Sequence, residues 1–236
     1  MTSRLLIVAP TAREFAGTER AVPGLHTVVV GMGETSADAT RKALTAHVPT
    51  VLLSIGFSGA LDPGLRTGDI VVSDSVLMAA TGRRLELDPT HAASVRGLLE
   101  AAGIAVRPGA TLTTKDPVLS SARKLSYHKT TKTSIVDMET TWIATAAREA
   151  GIPMLSVRTV IDEARHDLPR FVGNIIADGG RNEWRHAFRA TLNPLTVVPM
   201  LALALRARKA SARTRAMLDV LIPALTGESG TLEPRP

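Results

Sequence analysis

Ser134-Ile-Val-Asp-Met-Glu-Thr-Thr-Trp142 and, about twenty residues on, Val157-Arg-Thr-Val-Ile-Asp162 decide the reading of this chain. In the first stretch an acidic pair, Asp137 and Glu139, brackets Met138 where an apolar run enters a helix. In the second, Asp162 closes the next apolar run. One strand–helix–strand unit therefore carries two carboxylate positions toward the carboxyl ends of strands, where open α/β folds bind their ligands. Such a pair suits a pocket that grips sugar hydroxyls and protonates a leaving group.

Outward from this unit, short runs rich in Val, Ile and Leu alternate with helical stretches. Residues 5–9, 27–30, 51–54, 70–73 and 154–161 read as buried strands. Residues 36–47, 91–102 and 140–150 read as helices, the last two closed by Gly103 and Gly151 in left-handed caps. This alternation predicts an α/β fold, a single domain whose central, mostly parallel mixed sheet is flanked by helices. The expected organisation is a catalytic domain over 1–190, an apolar and basic helical extension over 191–227, and a disordered tail over 228–236.

Composition narrows the class. The 236 residues, 44% hydrophobic, suffice for one large core, and no Gly/Ser/Pro-rich linker divides them. Cysteine is absent, which removes disulfides and thiolate metal sites. The six histidines are scattered, so no metal site is expected. The first residues read as a buried strand rather than a signal peptide's longer apolar core, and a cytoplasmic location is expected. Of the net charge of +6, five cations (Arg206, Arg208, Lys209, Arg213 and Arg215) sit in one short segment. With aromatics at only 3%, few stacking platforms exist, and nucleic acid is not an expected partner.

The glycines mark approach points. Gly31-Met-Gly33 follows a strand and precedes a helix, either as turn punctuation or with amides facing an anion or a sugar. Ser54-Ile-Gly56-Phe57-Ser58-Gly59 reads as a loop at a strand end where backbone can approach a ligand. Gly68-Asp69 reads as a tight turn, with Asp69 a turn residue.

These motifs, in order, resemble the nucleoside phosphorylase and nucleosidase superfamily, which cleaves the bond between ribose and a base. The similarity runs through residues 5–15, 31–33, 54–74, 136–140 and 157–162. It implies the three-layer nucleoside-phosphorylase-like fold. By this resemblance Asp162 is the general acid toward N7 of a purine, and Glu139 accepts hydrogen bonds from the ribose 2′- and 3′-hydroxyls. Met138 forms an apolar floor under the sugar, and Asp137 stands where nucleosidases usually carry glutamate. Glu14, in Thr11-Ala-Arg-Glu-Phe15, matches with a one-residue shift the glutamate that orients water in hydrolytic members; a surface glutamate is the alternative. Gly33, Gly56, Phe57, Ser58 and Gly59 fall on the substrate side. Two departures stand out. Ser54 and Phe57 replace the arginine and hydroxyl that hold phosphate in phosphorylases, and Val118 replaces an aromatic that stacks on the base. No cofactor is implied, and water or phosphate as the nucleophile stays open. Homo-oligomers are common in the superfamily.

Leu168-Pro169, Asp178-Gly and Leu192-Asn-Pro, with the Leu-rich, basic ending, are similar to the hopanoid-associated phosphorylase family, whose members act on adenosylhopane. That similarity implies adenine release from a lipid-linked nucleoside. Nucleosidases for methylthioadenosine, S-adenosylhomocysteine or futalosine are the alternative within the same chemistry. A nucleoside-binding, membrane-peripheral protein without turnover is the alternative outside it. The eleven nearly all apolar residues 195–205 are too short to cross a bilayer. Followed by cations, residues 195–215 read either as a membrane-interface segment at the inner face of the membrane or as a packed helix with a solvated basic face.

Overall fold

The computed structural model describes residues 4–15, 22–169, 172–173 and 194–227. Sheet formation begins with β1 (Leu5–Ala9), every residue of which is buried. It pairs in parallel with β2 (Leu25–Val29) on one side and β3 (Val51–Ala60) on the other. The remaining strands are β4 (Ile70–Met78), β5 (Arg84–Glu86), β6 (Val106–Thr113), β7 (Ile135–Asp137) and β8 (Met154–Asp162). β3 pairs in parallel with β8, β8 antiparallel with β4, β4 in parallel with β6, β6 in parallel with β7, and β7 antiparallel with β3. These five strands thus return to their start and close a ring. β1 and β2 extend the sheet from β3, and β5 forms an antiparallel edge on β4.

Period-two alternation makes the layers. Leu5, Ile7 and Ala9 point to one side, where they join Leu53 and Ile55 of β3, Ala92, Val95 and Leu99 of α2 (Pro89–Ala101), and Met217, Leu218, Leu221, Ile222 and Leu225 of the last helix, α5 (Pro194–Thr226). Leu6 and Val8 point to the other, against Ala43 and Leu44 of α1 (Thr35–His47) and Ile143, Ala144 and Ala147 of α4 (Thr140–Glu149). α3 (Ser121–Thr131) completes the helices used below. Each fully buried Leu or Ile contributes about 1.5–3 kcal/mol of transfer free energy, so both faces of the sheet are held. Helix ends follow local chemistry: Asp88 accepts the Thr90 and His91 amides at 2.9 and 3.0 Å to start α2 at Pro89. Gly103 and Gly151 do adopt positive φ.

The structure revises several expected elements. β3 continues to Ala60, so Gly56 through Gly59 is strand rather than loop. The reason is β8, which pairs with β3 from Leu52 to Gly59 and holds the glycines extended. β4 likewise runs on to Met78. β5, β6 and α3 were not foreseen; β7 is the short strand expected ahead of α4. β6 contains Pro108 and Gly109, which read as loop residues, yet Pro108 sits opposite Val72 in a parallel ladder. The expected tail over 228–236, and Asp178, Leu192 and Asn193, lie outside the described residues. Among the described residues no helix is long and apolar enough to cross a membrane.

Candidate active site

The ring gathers the carboxylates around the second half of β3. Gly59 pairs with Val136 of β7 on one side and with Asp162 of β8 on the other, the latter through a register shift between Ser58 and Gly59. A Cβ at Gly59 would lie 3.1 Å from Asp162 Oδ1 and 3.3 Å from Val136 Cγ1. Glycine is needed here for close approach of the Asp162 side chain. A Cβ at Gly56 would lie 3.4 Å from Glu14 Oε1 and 3.6 Å from the guanidinium carbon of Arg158. The two glycines are contact points for two different acids.

Glu14 lies in a short 3₁₀ turn (Ala12–Phe15) after β1 and is buried rather than on the surface. Its Oε2 accepts the Thr11 amide and hydroxyl at 2.6 and 2.9 Å, and its Oε1 accepts the Phe57 amide at 3.3 Å. Burial raises its pKa against those bonds. Glu139 lies at the entrance to α4 and reaches back across the chain, its Oε1 accepting the Gly33 amide at 2.9 Å. The Gly31–Gly33 turn, with positive φ at both glycines, therefore presents its amide to a carboxylate of this site. Burial first, then the neighbouring Asp137, pushes Glu139 up to about 8, against the Gly33 bond. Met138, half-buried, lies between the two acids.

Asp137 is turned inward. Its oxygens accept the Thr113 hydroxyl at 3.0 Å, the Thr140 amide at 3.2 Å and hydroxyl, and Arg158 Nε at 3.0 Å. Arg158 Nη1 donates to the Ser54 and Val157 carbonyls, and Nη2 to the Ser54 and Thr140 hydroxyls. All five guanidinium hydrogens thus have an acceptor. Arg158 lay unremarked inside an apolar run; the signal available was a lone cation in a strand otherwise fit for burial.

Asp162 ends β8, buried, with its Oδ2 paired to the Lys124 ammonium of α3. Burial raises its pKa and Lys124 pulls the other way. Lys124 was also missed, because α3 carries almost no apolar periodicity to flag an inward face. Phe57 and Gly59 are partly exposed and Ser58 is buried, its hydroxyl without a partner among the described residues. Val118 is buried with Leu61, Leu112 and Val136 in a small apolar cluster, which reaches the site through Val136 beside Gly59. Asp69 is a turn residue, accepting the Arg66 amide at 2.9 Å. Two clefts elsewhere, of 370 Å³ beside β5 and α4 and 290 Å³ beside Asp62 and Arg107, contain none of these carboxylates. Among the described residues no group of three or more His, Asp or Glu is arranged to hold a metal ion.

The mixed α/β ring, with Glu14 and Asp162 set against β3 and Glu139 just beyond β7, has known counterparts. Residues 17–185 match the phosphorylase superfamily, and the chain belongs to that superfamily. Among solved structures, the 5′-methylthioadenosine/S-adenosylhomocysteine nucleosidase of Neisseria meningitidis, in complex with methylthio-immucillin-A, is similar with a TM-score of 0.71 at 16% identity, covering 93% of this chain and 98% of that one. A mutant Helicobacter pylori nucleosidase with 5′-methylthioadenosine in its active site gives 0.67 at 15%, covering 93% and 99%. A mutant futalosine hydrolase of Helicobacter pylori gives 0.65 at 16%, covering 92% and 99%. At such identities the likeness establishes a shared fold.

Proposed function

We propose that this protein is a nucleosidase that hydrolyses the N-ribosyl bond of an adenine nucleoside. The observation that carries the choice of water over phosphate is the Glu14–Phe57 contact at 3.3 Å beside Gly56. A carboxylate occupies the β3 amide where phosphorylases of the superfamily hold an anion. Arg158, the buried cation next to it, has every hydrogen committed to protein acceptors. An entering phosphate would meet negative charge and no free donor from this pair. Water meets a base.

In this reading Glu139 grips the ribose hydroxyls and Met138 lies under the sugar. As the C1′–N9 bond lengthens, positive charge develops on the ribose and negative charge on the base. Asp162 passes a proton to N7, water attacks C1′, and Glu14 takes the proton that water loses. Base and ribosyl product leave with atoms and charge balanced. Burial raises the pKa of both groups, which helps Asp162 arrive protonated as an acid and strengthens Glu14 as a base. The nucleosidase and futalosine hydrolase folds named above support this chemistry for the chain.

A second reading, adenosylhopane as the substrate, is favoured by α5. Its exposed face presents Leu201 and Leu205, 61% and 59% exposed, followed by exposed Arg208 and Arg215. Arg206, on the same helix, lies close enough to Asp162 to act on its charge. An apolar and cationic stripe next to the acid suits a nucleoside presented from a lipid surface. Homo-oligomers, common in the superfamily, fit either substrate.

The test is adenine release from methylthioadenosine and from detergent-dispersed adenosylhopane, each with and without phosphate, in the wild type and in Asp162→Asn. Hydrolysis independent of phosphate and reduced about 10²–10⁴-fold in the variant is the expected result. Strict phosphate dependence would overturn water as the nucleophile. Full turnover by Asp162→Asn would remove Asp162 as the acid.

A further inference from the structure

Of the eleven residues of α3, only Lys124 is buried, and it is fully so. An amphipathic helix ordinarily docks through several apolar residues. Here Leu125 and Tyr127 pack only partly buried, and the one fully buried residue is an ammonium. Its Nζ donates to Asp162 Oδ2, to the Glu163 carbonyl at 3.3 Å and to the His166 carbonyl at 2.9 Å. An ammonium has three hydrogens, and three acceptors meet them. The charged form is satisfied where an unpaired buried charge would be strongly destabilising. The arrangement ties α3 to the end of β8 and to the turn after it, and it divides the Asp162 carboxyl into two unlike oxygens. Oδ2 is held by Lys124. Both oxygens approach Gly59, 3.1 and 3.3 Å from where a Cβ would be, and Oδ1 is the one that Lys124 does not hold.

We propose that Lys124 is a positioning residue for the acid of the reaction, clamping Oδ2 of Asp162 so that Oδ1 is the oxygen left to carry the transferable proton. The proposal rests on Asp162 being that acid. Lys124 also sets how readily Asp162 gives its proton up. A carboxyl buried without a cation holds its proton too tightly to donate well, because donors work best when their pKa lies near the working pH. The Lys124 ammonium opposes the rise that burial imposes. The charged groups acting on Asp162 are Lys124 from α3, Arg206 from α5 and His166 from the following turn, and of these Lys124 makes the direct bond.

Two variants test this. Lys124→Met removes charge and donors; Lys124→Gln removes the charge and keeps an amide donor on a shorter side chain, so a hydrogen bond can still hold α3 in place. Protein labelled with ¹³C at aspartate carboxyls is titrated by NMR, the Asp162 signal being the one that disappears in Asp162→Asn. This readout needs no substrate. The Asp162 carboxyl should titrate at higher pH in both variants. In adenine release from methylthioadenosine, kcat should fall about tenfold with KM changed by less than about twofold, and the basic limb of the pH profile should move upward. An Asp162 titration unchanged in Lys124→Gln overturns the proposal. Loss of turnover in Asp162→Asn beside unchanged kcat in both Lys124 variants overturns it too, while leaving Asp162 as the acid. Undiminished turnover in Asp162→Asn removes instead the reading of Asp162 on which the proposal stands.

Discussion

Arg158 and Asp137 form an ion pair at 3.0 Å with both side chains only 1% exposed. Twenty-one positions separate them in sequence, one in the middle of β8 and the other at the end of β7. The pair lies under the site and fixes the strand end from which Met138 and Glu139 emerge. A buried pair of this kind is tolerable only when its remaining hydrogen-bonding capacity is also met, and Ser54, Thr113 and Thr140 meet it.

Removing one partner should therefore be far worse than removing both. Arg158→Met leaves the Asp137 carboxylate uncompensated and should cost about 3–5 kcal/mol, lowering Tm by roughly 6–20 °C for a chain of this size. Arg158→Met combined with Asp137→Asn should recover a large part of that loss. Thermal melts of the wild type and the two variants decide it; a double variant no more stable than Arg158→Met alone would show that the pair does not act as a unit.

Glu139 makes stability depend on pH in the less familiar direction. Its pKa in the folded protein is pushed up to about 8 from an ordinary 4.5. The folded state therefore binds the proton more tightly than the unfolded chain. Stability from this group is full below about pH 4.5 and is lost progressively as pH rises toward 8. Glu139→Gln, which cannot ionise, should be the more stable protein at pH 8 and should lose less Tm between pH 5 and 8 than the wild type. Above pH 8, where Glu139 is ionised, the variant should also bind the ribosyl group more weakly than the wild type, because an amide cannot accept from two hydroxyls as a carboxylate does. Parallel Tm curves for the two proteins across that range would contradict the assignment.

Gly59→Ala tests close approach. The new methyl would sit 3.1 Å from Asp162 Oδ1 and 3.3 Å from Oδ2, and Asp162 cannot easily give way because Lys124 holds it. Turnover should fall at least tenfold, as a misplaced reacting group costs up to about 10²-fold. Gly97→Ala is the control. Gly97 lies in α2, is exposed and has nothing within 4 Å of an added Cβ, so it should gain about 0.5–1 kcal/mol and leave kcat unchanged.

The order of elements was legible where hydrophobic patterning is strong. β1 appears as an uninterrupted apolar run and β8 as a largely apolar one, and the carboxylates at the ends of β7 and β8 announce themselves by position. Asp162 lies against Gly59 and Glu14 against Gly56 and Phe57 of β3, and Glu139 is within electrostatic reach of Glu14. The partners that set their chemistry were not legible. Lys124 sits on a polar helix with no stripe to reveal its inward face, and Arg158 looks like an accident in a strand until its five acceptors are seen together. The extended run through Gly56 and Gly59 was hidden because glycine ordinarily signals a turn, whereas here long-range pairing with β8 overrides local preference. Glu139's bond to Gly33, across 106 positions, is a tertiary fact that no local pattern encodes.

The five cations near the end of the chain are divided in the fold, and that division gives the last prediction. Lys209 and Arg213 pack over the Gly68 turn, where Arg213 Nε donates to the Gly68 carbonyl at 3.3 Å, and Arg206 acts on Asp162. Arg208 and Arg215 remain on the exposed face, in register with Leu201 and Leu205. The C-terminal half of α5 is anchored in the main core and by the Thr214–Thr159 hydroxyl contact at 2.8 Å, so the exposed leucines do not hold the helix in place. Leu201→Ser with Leu205→Ser should thus leave Tm nearly unchanged, surface substitutions usually staying within about 0.5 kcal/mol. If this face meets lipid, the same variant should lose binding to vesicles containing anionic lipid, and wild-type binding should weaken as salt is raised because each cation contributes only about 1 kcal/mol over a Debye length. Co-flotation with vesicles at low and high salt reads both effects. Equal flotation of wild type and variant would assign the face to solvent and return the substrate reading to small nucleosides; lost flotation with unchanged hydrolysis of methylthioadenosine would separate docking from chemistry.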